Sequence, residues 1–169
     1  MKRSCGGCTL CCRLLPVKEI GKPANTRCVH VRTGRGCRVH DKDGFPSSCR
    51  IWSCEWLGNP EVKTRRPDRA GYVIDMMPDS IWIGEDRVTG IEKVCLVVWV
   101  DPYRPDAWKD EPLLAYVEYL NVPMMLRYGS DRAMILIPPA LADNGQWSLV
   151  ESHLDRSTIP PKKNPEIRL

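Results

Sequence analysis

The chain predicts an α+β protein: a loop-rich, metal-organised cysteine module at the N-terminus, followed by a small, mainly antiparallel β domain with one helix. Eight of the nine cysteines fall within the first 54 residues. The same stretch is strongly basic and lacks hydrophobic periodicity, whereas short runs rich in β-branched and aromatic residues begin at Gly71.

Residues 1 to 58 hold too little apolar surface to offset chain entropy unaided, so this segment needs staples. A boundary is expected at Gly58-Asn59-Pro60, and residues 59 to 70, with Lys63-Thr64-Arg65-Arg66-Pro67-Asp68-Arg69, read as an exposed linker. Residues 71 to 154 form the expected α+β domain. Its strands are expected at Tyr72-Val73-Ile74-Asp75-Met76-Met77, Ser80-Ile81-Trp82-Ile83-Gly84 and Val94-Cys95-Leu96-Val97-Val98-Trp99-Val100. A helix follows, with Asp110 as N-cap, Pro112 in the first turn, and Leu113, Leu114, Val117 and Leu120 on one face. Val122 to Tyr128 and Ala133 to Ile137, around Gly129-Ser130-Asp131-Arg132, predict a hairpin. The proline-rich residues 155 to 169 read as an extended or disordered tail.

At 169 residues the chain has room for one domain, or for a stapled module beside a domain of about 100 residues. No apolar run approaches the roughly 18 to 20 residues that span a bilayer, so no membrane partner is expected. The first residues, Met1-Lys2-Arg3-Ser4-Cys5, carry positive charge without the apolar stretch of a signal peptide. A cytoplasmic location is therefore expected, where thiols stay reduced and clustered cysteines serve as metal ligands.

Cys5-Gly6-Gly7-Cys8-Thr9-Leu10-Cys11-Cys12 spaces three thiols at three-residue intervals, with a fourth beside the third. A C-x-x-C loop turns two sulfurs toward one metal, and the glycines permit the tight backbone this requires. Simple dithiol exchange would place the pair near a β-α unit, which this segment does not offer. Because successive side chains point apart, Cys11 and Cys12 suit two sites or a multinuclear one. Further candidate ligands are Cys28, Cys37, Cys49 and Cys54.

These residues carry a resemblance. The segment from Cys5 to about Cys54 resembles the YkgJ-type CxxCxxCC family, described as zinc- or iron-chelating cysteine-cluster proteins. Cys5, Cys8, Cys11 and Cys12 match its leading cluster, Cys28 its middle cysteine, and Cys37 its Cys-x-aliphatic-Tyr position. Pro46, Cys49 and Arg50 match its last motif. His40 stands where the family has Tyr, Phe45 where it has Arg, and the interval from Cys37 to Cys49 is about two residues longer. Cys54 is assigned by proximity. The resemblance implies metal chelation, with some relatives holding an iron-sulfur cluster, and it carries no common reaction.

Zinc or an iron-sulfur cluster is therefore the expected cofactor, and metal ions the expected partners. Eight thiolates make two closed zinc sites with a net charge of about −4. One four-iron cluster in four thiolates has a net charge of about −2 and leaves four thiols unused. Residues 1 to 69 carry 15 Lys and Arg against 6 Asp and Glu, whereas residues 70 to 169 carry 10 against 15. The basic excess compensates thiolate charge, which is also the basis of the alternatives: an iron-sulfur redox enzyme or electron carrier, and a zinc-based adaptor for nucleic acid or protein. Of these partners nucleic acid is the less favoured.

His30 and His40 read as surface or packing residues rather than ligands. Cys95, inside an apolar run, reads as a small core hydrophobe. Met76, Met77, Met124, Met125 and Met134 read as core filling rather than copper ligands, and Trp52 and Trp56 as shields for the thiols. Glu85-Asp86 and Asp110-Glu111 form no catalytic couple, and no G-x-S-x-G, P-loop or dinucleotide fingerprint occurs. No catalytic residue is assigned.

Overall fold

The computed structural model describes residues 3–83 and 91–153. Gly84, Glu85-Asp86, residue 154 and the expected tail over 155–169 lie outside the described residues.

The fold is mixed α+β. Its N-terminal third alternates loops with very short elements: α1 (Cys11–Leu14), the two-stranded hairpin β1 (Val31–Arg32) and β2 (Gly36–Cys37), α2 (Ser47–Ile51), α3 (Glu55–Gly58) and α4 (Pro67–Ala70). Pro67 opens α4 and Gly71, at φ 87°, closes it in the left-handed region. A six-stranded sheet follows, built from β3 (Tyr72–Ile74), β4 (Asp79–Ile83), β5 (Ile91–Val100), β6 (Met124–Arg127), β7 (Arg132–Ile137) and β8 (Ser148–His153).

The long strand β5 organises this sheet. Along one edge it pairs first with β4, Asp79 opposite Cys95, and then with β3, Tyr72 opposite Val100. Its other edge takes β6 in parallel, Leu96 opposite Met124, while every other pairing in the sheet is antiparallel. The parallel pair follows from the connection: α5 (Glu111–Leu120) lies between β5 and β6, and a strand-helix-strand crossover brings two strands into parallel register. Asp110 holds the N-cap position of α5 in extended conformation, with its carboxylate accepting from Tyr72 and Arg65 rather than from the helix amides, Pro112 sits in the first turn, and Asn121 ends the helix at φ 51°. The hairpin β6–β7 forms as expected around residues 128–131.

Alternation along β5 sends successive side chains to opposite faces, and both faces are covered. On one, Val98 and Val100 join Tyr72, Ile74, Met124, Leu126 and Leu136 beneath Leu113 and Val117 of α5. On the other, Cys95, Val97 and Trp99 join Val73, Met125, Ala133 and Ile135, and the cover is the cysteine module itself, through Leu10, Leu14 and Cys54.

Three expectations are corrected. The stretch 59–70 is no exposed linker: Val62 is fully buried in the α5-side core, and Thr64, Pro67 and Ala70 are buried too. Strand β8 was not expected; it pairs with β7 from Arg132 opposite His153 to Ile137 opposite Ser148. Met76 and Met77 lie beyond the end of β3 and are exposed, whereas Met124 and Met125 fill the core.

Candidate metal centre

Helix α1 is a single turn, and the residues it anchors are Leu10 and Leu14, four apart and buried against the sheet. Between them Cys11 and Cys12 leave the helix in directions about 100° apart. Their two sulfurs nonetheless lie 4.0 Å apart, in hydrogen-bonding contact. Cys11 is within electrostatic reach of Cys5, Cys54 and Lys22, and Cys12 of Lys22, Cys49 and also Cys5.

A tight turn closed by the Cys8 amide on the Cys5 carbonyl at 2.8 Å curls the leading C-x-x-C loop. Cys5, Cys8, Cys11 and Cys54 together line one small apolar pocket, completed by Trp56 and Pro67. Cys54 reaches it from the far end of the module, held there by a β-bridge to Asp75 at the end of β3. Asp75 in turn accepts the indole N–H groups of Trp52 at 2.6 Å and Trp99 at 3.2 Å. The wall carrying Trp56 is pinned by Arg3, whose guanidinium donates to the carbonyls of Trp56, Asn59 and Val62 at 2.6, 2.8 and 2.7 Å.

A second set of thiols, Cys12, Cys28 and Cys37, lies within electrostatic reach of Cys49. The Cys28 amide donates to the Cys12 carbonyl at 3.0 Å, Cys37 ends β2, and Cys49 lies in α2. The Cys49 thiol is pushed up by burial and by the like charges of Cys12, Cys28 and Cys37. Lys22 is buried beside this group. Its ammonium donates to the carbonyls of Arg13 and Pro23 at 3.1 and 3.2 Å and to that of Leu15, and it is electrostatically coupled to Cys28, Cys12, Cys11 and Cys49.

Backbone-to-backbone contact locks the two sets together. A Cβ on Gly7 would lie 2.6 Å from the Gly34 carbonyl oxygen, and one on Gly36, at φ 86°, would lie 2.7 Å from the Gly6 carbonyl oxygen. The leading loop and the hairpin tip approach so closely that only glycine fits.

The electrostatics of the two sets differ. Burial raises the Cys5 and Cys8 thiols and lifts Cys54 to about 11. Cys11 is raised well above the usual thiol range, by its contact with Cys12 and by burial. Cys12 is lowered to about 7, first by the Cys11 hydrogen bond and then by the Lys22 charge, against the opposing effect of burial. In the first group the thiols hold their protons, and a bound cation would supply the charge that displaces them.

Among the described residues, no three His, Cys, Asp or Glu side chains are gathered tightly enough to hold a metal ion as they stand. Each group nonetheless matches a metal in number and kind of donor: four sulfurs, the first set around an apolar pocket. His40 instead bonds Asp41 at 2.8 Å on the surface, and Cys95 is fully buried in the sheet. Trp56 lines the pocket, while the Trp52 indole donates to Asp75. Lys22 had no local sequence signal, because its burial depends on carbonyls that α1 and the following loop turn inward.

Comparison of the chain with protein-family models, curated proteins and solved structures finds no match.

Proposed function

We propose that this chain is a cysteine-rich metal-binding protein with two four-thiolate sites, one formed by Cys5, Cys8, Cys11 and Cys54, the other by Cys12, Cys28, Cys37 and Cys49. The supporting observation is that Cys5, Cys8, Cys11 and Cys54 line a single pocket, while Cys49 lies within electrostatic reach of Cys12, Cys28 and Cys37. The resemblance of residues 5 to 54 to the CxxCxxCC family points the same way.

Zinc suits both sites, since four thiolates make its closed, tetrahedral structural environment. Bound there, zinc supplies cross-links rather than reactivity. The chain's own residues do the rest: Leu10 and Leu14 dock the module, Trp56 excludes water from the first group, and Lys22 offsets thiolate charge in the second.

A second reading has one observation of its own. Cys5, Cys8 and Cys11 at three-residue spacing, completed by the remote Cys54 in an apolar pocket, match the ligand pattern of iron-sulfur proteins. The first group would then hold a cluster, and the protein would be a redox enzyme or electron carrier.

The test is the absorption spectrum from 300 to 700 nm of anaerobically purified protein, with analysis for zinc, iron and sulfide. A colourless sample with about two zinc per chain is expected. Brown colour with iron and sulfide selects the second reading, and a chain free of both metals sinks the proposal.

A further inference from the structure

The charge on the metal module is not spread evenly over its surface. Between residues 27 and 50 stand Arg27, Arg32, Arg35, Arg38, Lys42 and Arg50, all exposed, against Asp41 and Asp43. Elsewhere Arg13, Lys63, Arg65, Arg66, Lys109 and Arg127 each pair with a carboxylate. Among the described residues none of the six cations over 27–50 has such a partner, and Asp41 is taken by His40.

The hairpin organises four of them. Arg32 stands opposite Gly36 in the β1–β2 register, and Arg35 lies in the turn between the strands. Arg27 and Arg38 are laid against the same hairpin, donating to Thr33 Oγ1 and to the Val29 carbonyl, each at 2.6 Å. Arg50 stacks over Phe45, 5.4 Å from its ring centre. No residue from 27 to 51 belongs to either hydrophobic core, so this face is not used to hold the fold together.

Compensation of the one thiolate site that draws its ligands from this stretch accounts for only part of the excess. A zinc-loaded four-thiolate site has a net charge of about −2, whereas six cations against two aspartates give +4. Five of the six are arginines, whose planar fork donates to two phosphate oxygens at once. The tip, Arg32-Thr33-Gly34-Arg35, carries no apolar side chain, and the exposed apolar residues near it are two, Val29 and Ile51.

We propose that the exposed face of the 27–38 hairpin, with Lys42 and Arg50 beside it, binds the phosphodiester backbone of a nucleic acid. This goes beyond metal binding: the metal centre is the scaffold that presents the cations. Phosphate contacts of this kind give affinity without sequence preference, and that affinity falls steeply with salt through counterion release.

The test uses the full chain as purified and a fluorescently labelled 20-nucleotide single-stranded RNA, followed by anisotropy, with duplex DNA of equal length as a second probe. With three to four phosphates neutralised, affinity for the RNA should fall about 20- to 50-fold between 50 and 200 mM salt. The double variant Arg32→Gln/Arg35→Gln should lose at least about tenfold in affinity at 50 mM and flatten the salt dependence by about 1.4 log units per decade, while its metal content stays at the wild-type level. Lys63→Gln/Lys109→Gln, outside the face, should bind as wild type does. Absent or salt-insensitive binding of both probes would overturn the proposal. So would an equal loss in the control variant, or tighter binding to phosphatidylserine vesicles than to either nucleic acid.

Discussion

Gly7 and Gly36 are the residues through which the two halves of the module meet, and neither has space for a methyl group. Gly7→Ala would put its Cβ against the Gly34 carbonyl oxygen, 2.6 Å away on backbone that cannot rotate aside. We expect a loss of about 1 to 3 kcal/mol, read from the urea midpoint; an unchanged midpoint would refute the contact. Cys95 tests the opposite assignment. It is fully buried and its thiol is pushed up to about 12, by burial first and by Asp79 second. Its proton therefore stays on in the fold while the unfolded chain ionises near 9.0, so its contribution is intact below pH 9 and is lost progressively as pH rises toward 12. Cys95→Ser should leave the metal content unchanged and flatten that alkaline loss of stability. A drop in bound metal would move Cys95 into the site.

At the scale of elements, Val62 carries the sharpest expectation. In a solvated linker Val62→Ala would change stability by less than about 0.5 kcal/mol; with the side chain fully buried beneath α5, we expect a loss of about 1 to 3 kcal/mol. A single valine in a run of Lys, Arg and Pro has no periodic neighbours to announce its burial, which is why the sequence reads as a connector there. Helix α5 was legible because Asp110, Pro112, Leu113 and Val117 give N-cap position, first turn and buried face within one short stretch. Strand β8 was not, since Ser148-Leu149-Val150-Glu151-Ser152-His153 has two apolar residues and both are exposed. The β5-α5-β6 order did contain the parallel pairing, as a crossover rather than as a residue pattern. In the site, eight candidate thiols were legible from spacing. The proposed partition was not, because it rests on where a one-turn helix places Cys11 and Cys12, and on the bridge to Asp75 that brings Cys54 to the pocket lined by Cys5, Cys8 and Cys11.

For the molecule as a whole, the cysteine module is one of the two covers of the sheet. Leu10, Leu14 and Cys54 close the face formed by Val73, Val97, Trp99 and Met125, so loss of the module should expose that face. Structural zinc contributes about 10 to 16 kcal/mol of apparent binding free energy, as large as the whole stability of a typical domain at about 5 to 15 kcal/mol. Removing metal with a chelator should therefore shift tryptophan emission to the red as Trp99 meets water, and restoring metal should reverse it. An unchanged spectrum would mean that the sheet keeps its cover without metal. The partition into two groups is the central claim, and its most direct test is metal content per chain in wild type, Cys8→Ser and Cys49→Ser, all purified anaerobically. Two zinc-type sites predict about two metal ions in the wild type and about one in each single variant, with the double variant holding none. Full retention of metal in either single variant would contradict the partition, and simultaneous loss of all metal from each would show one shared multinuclear site instead.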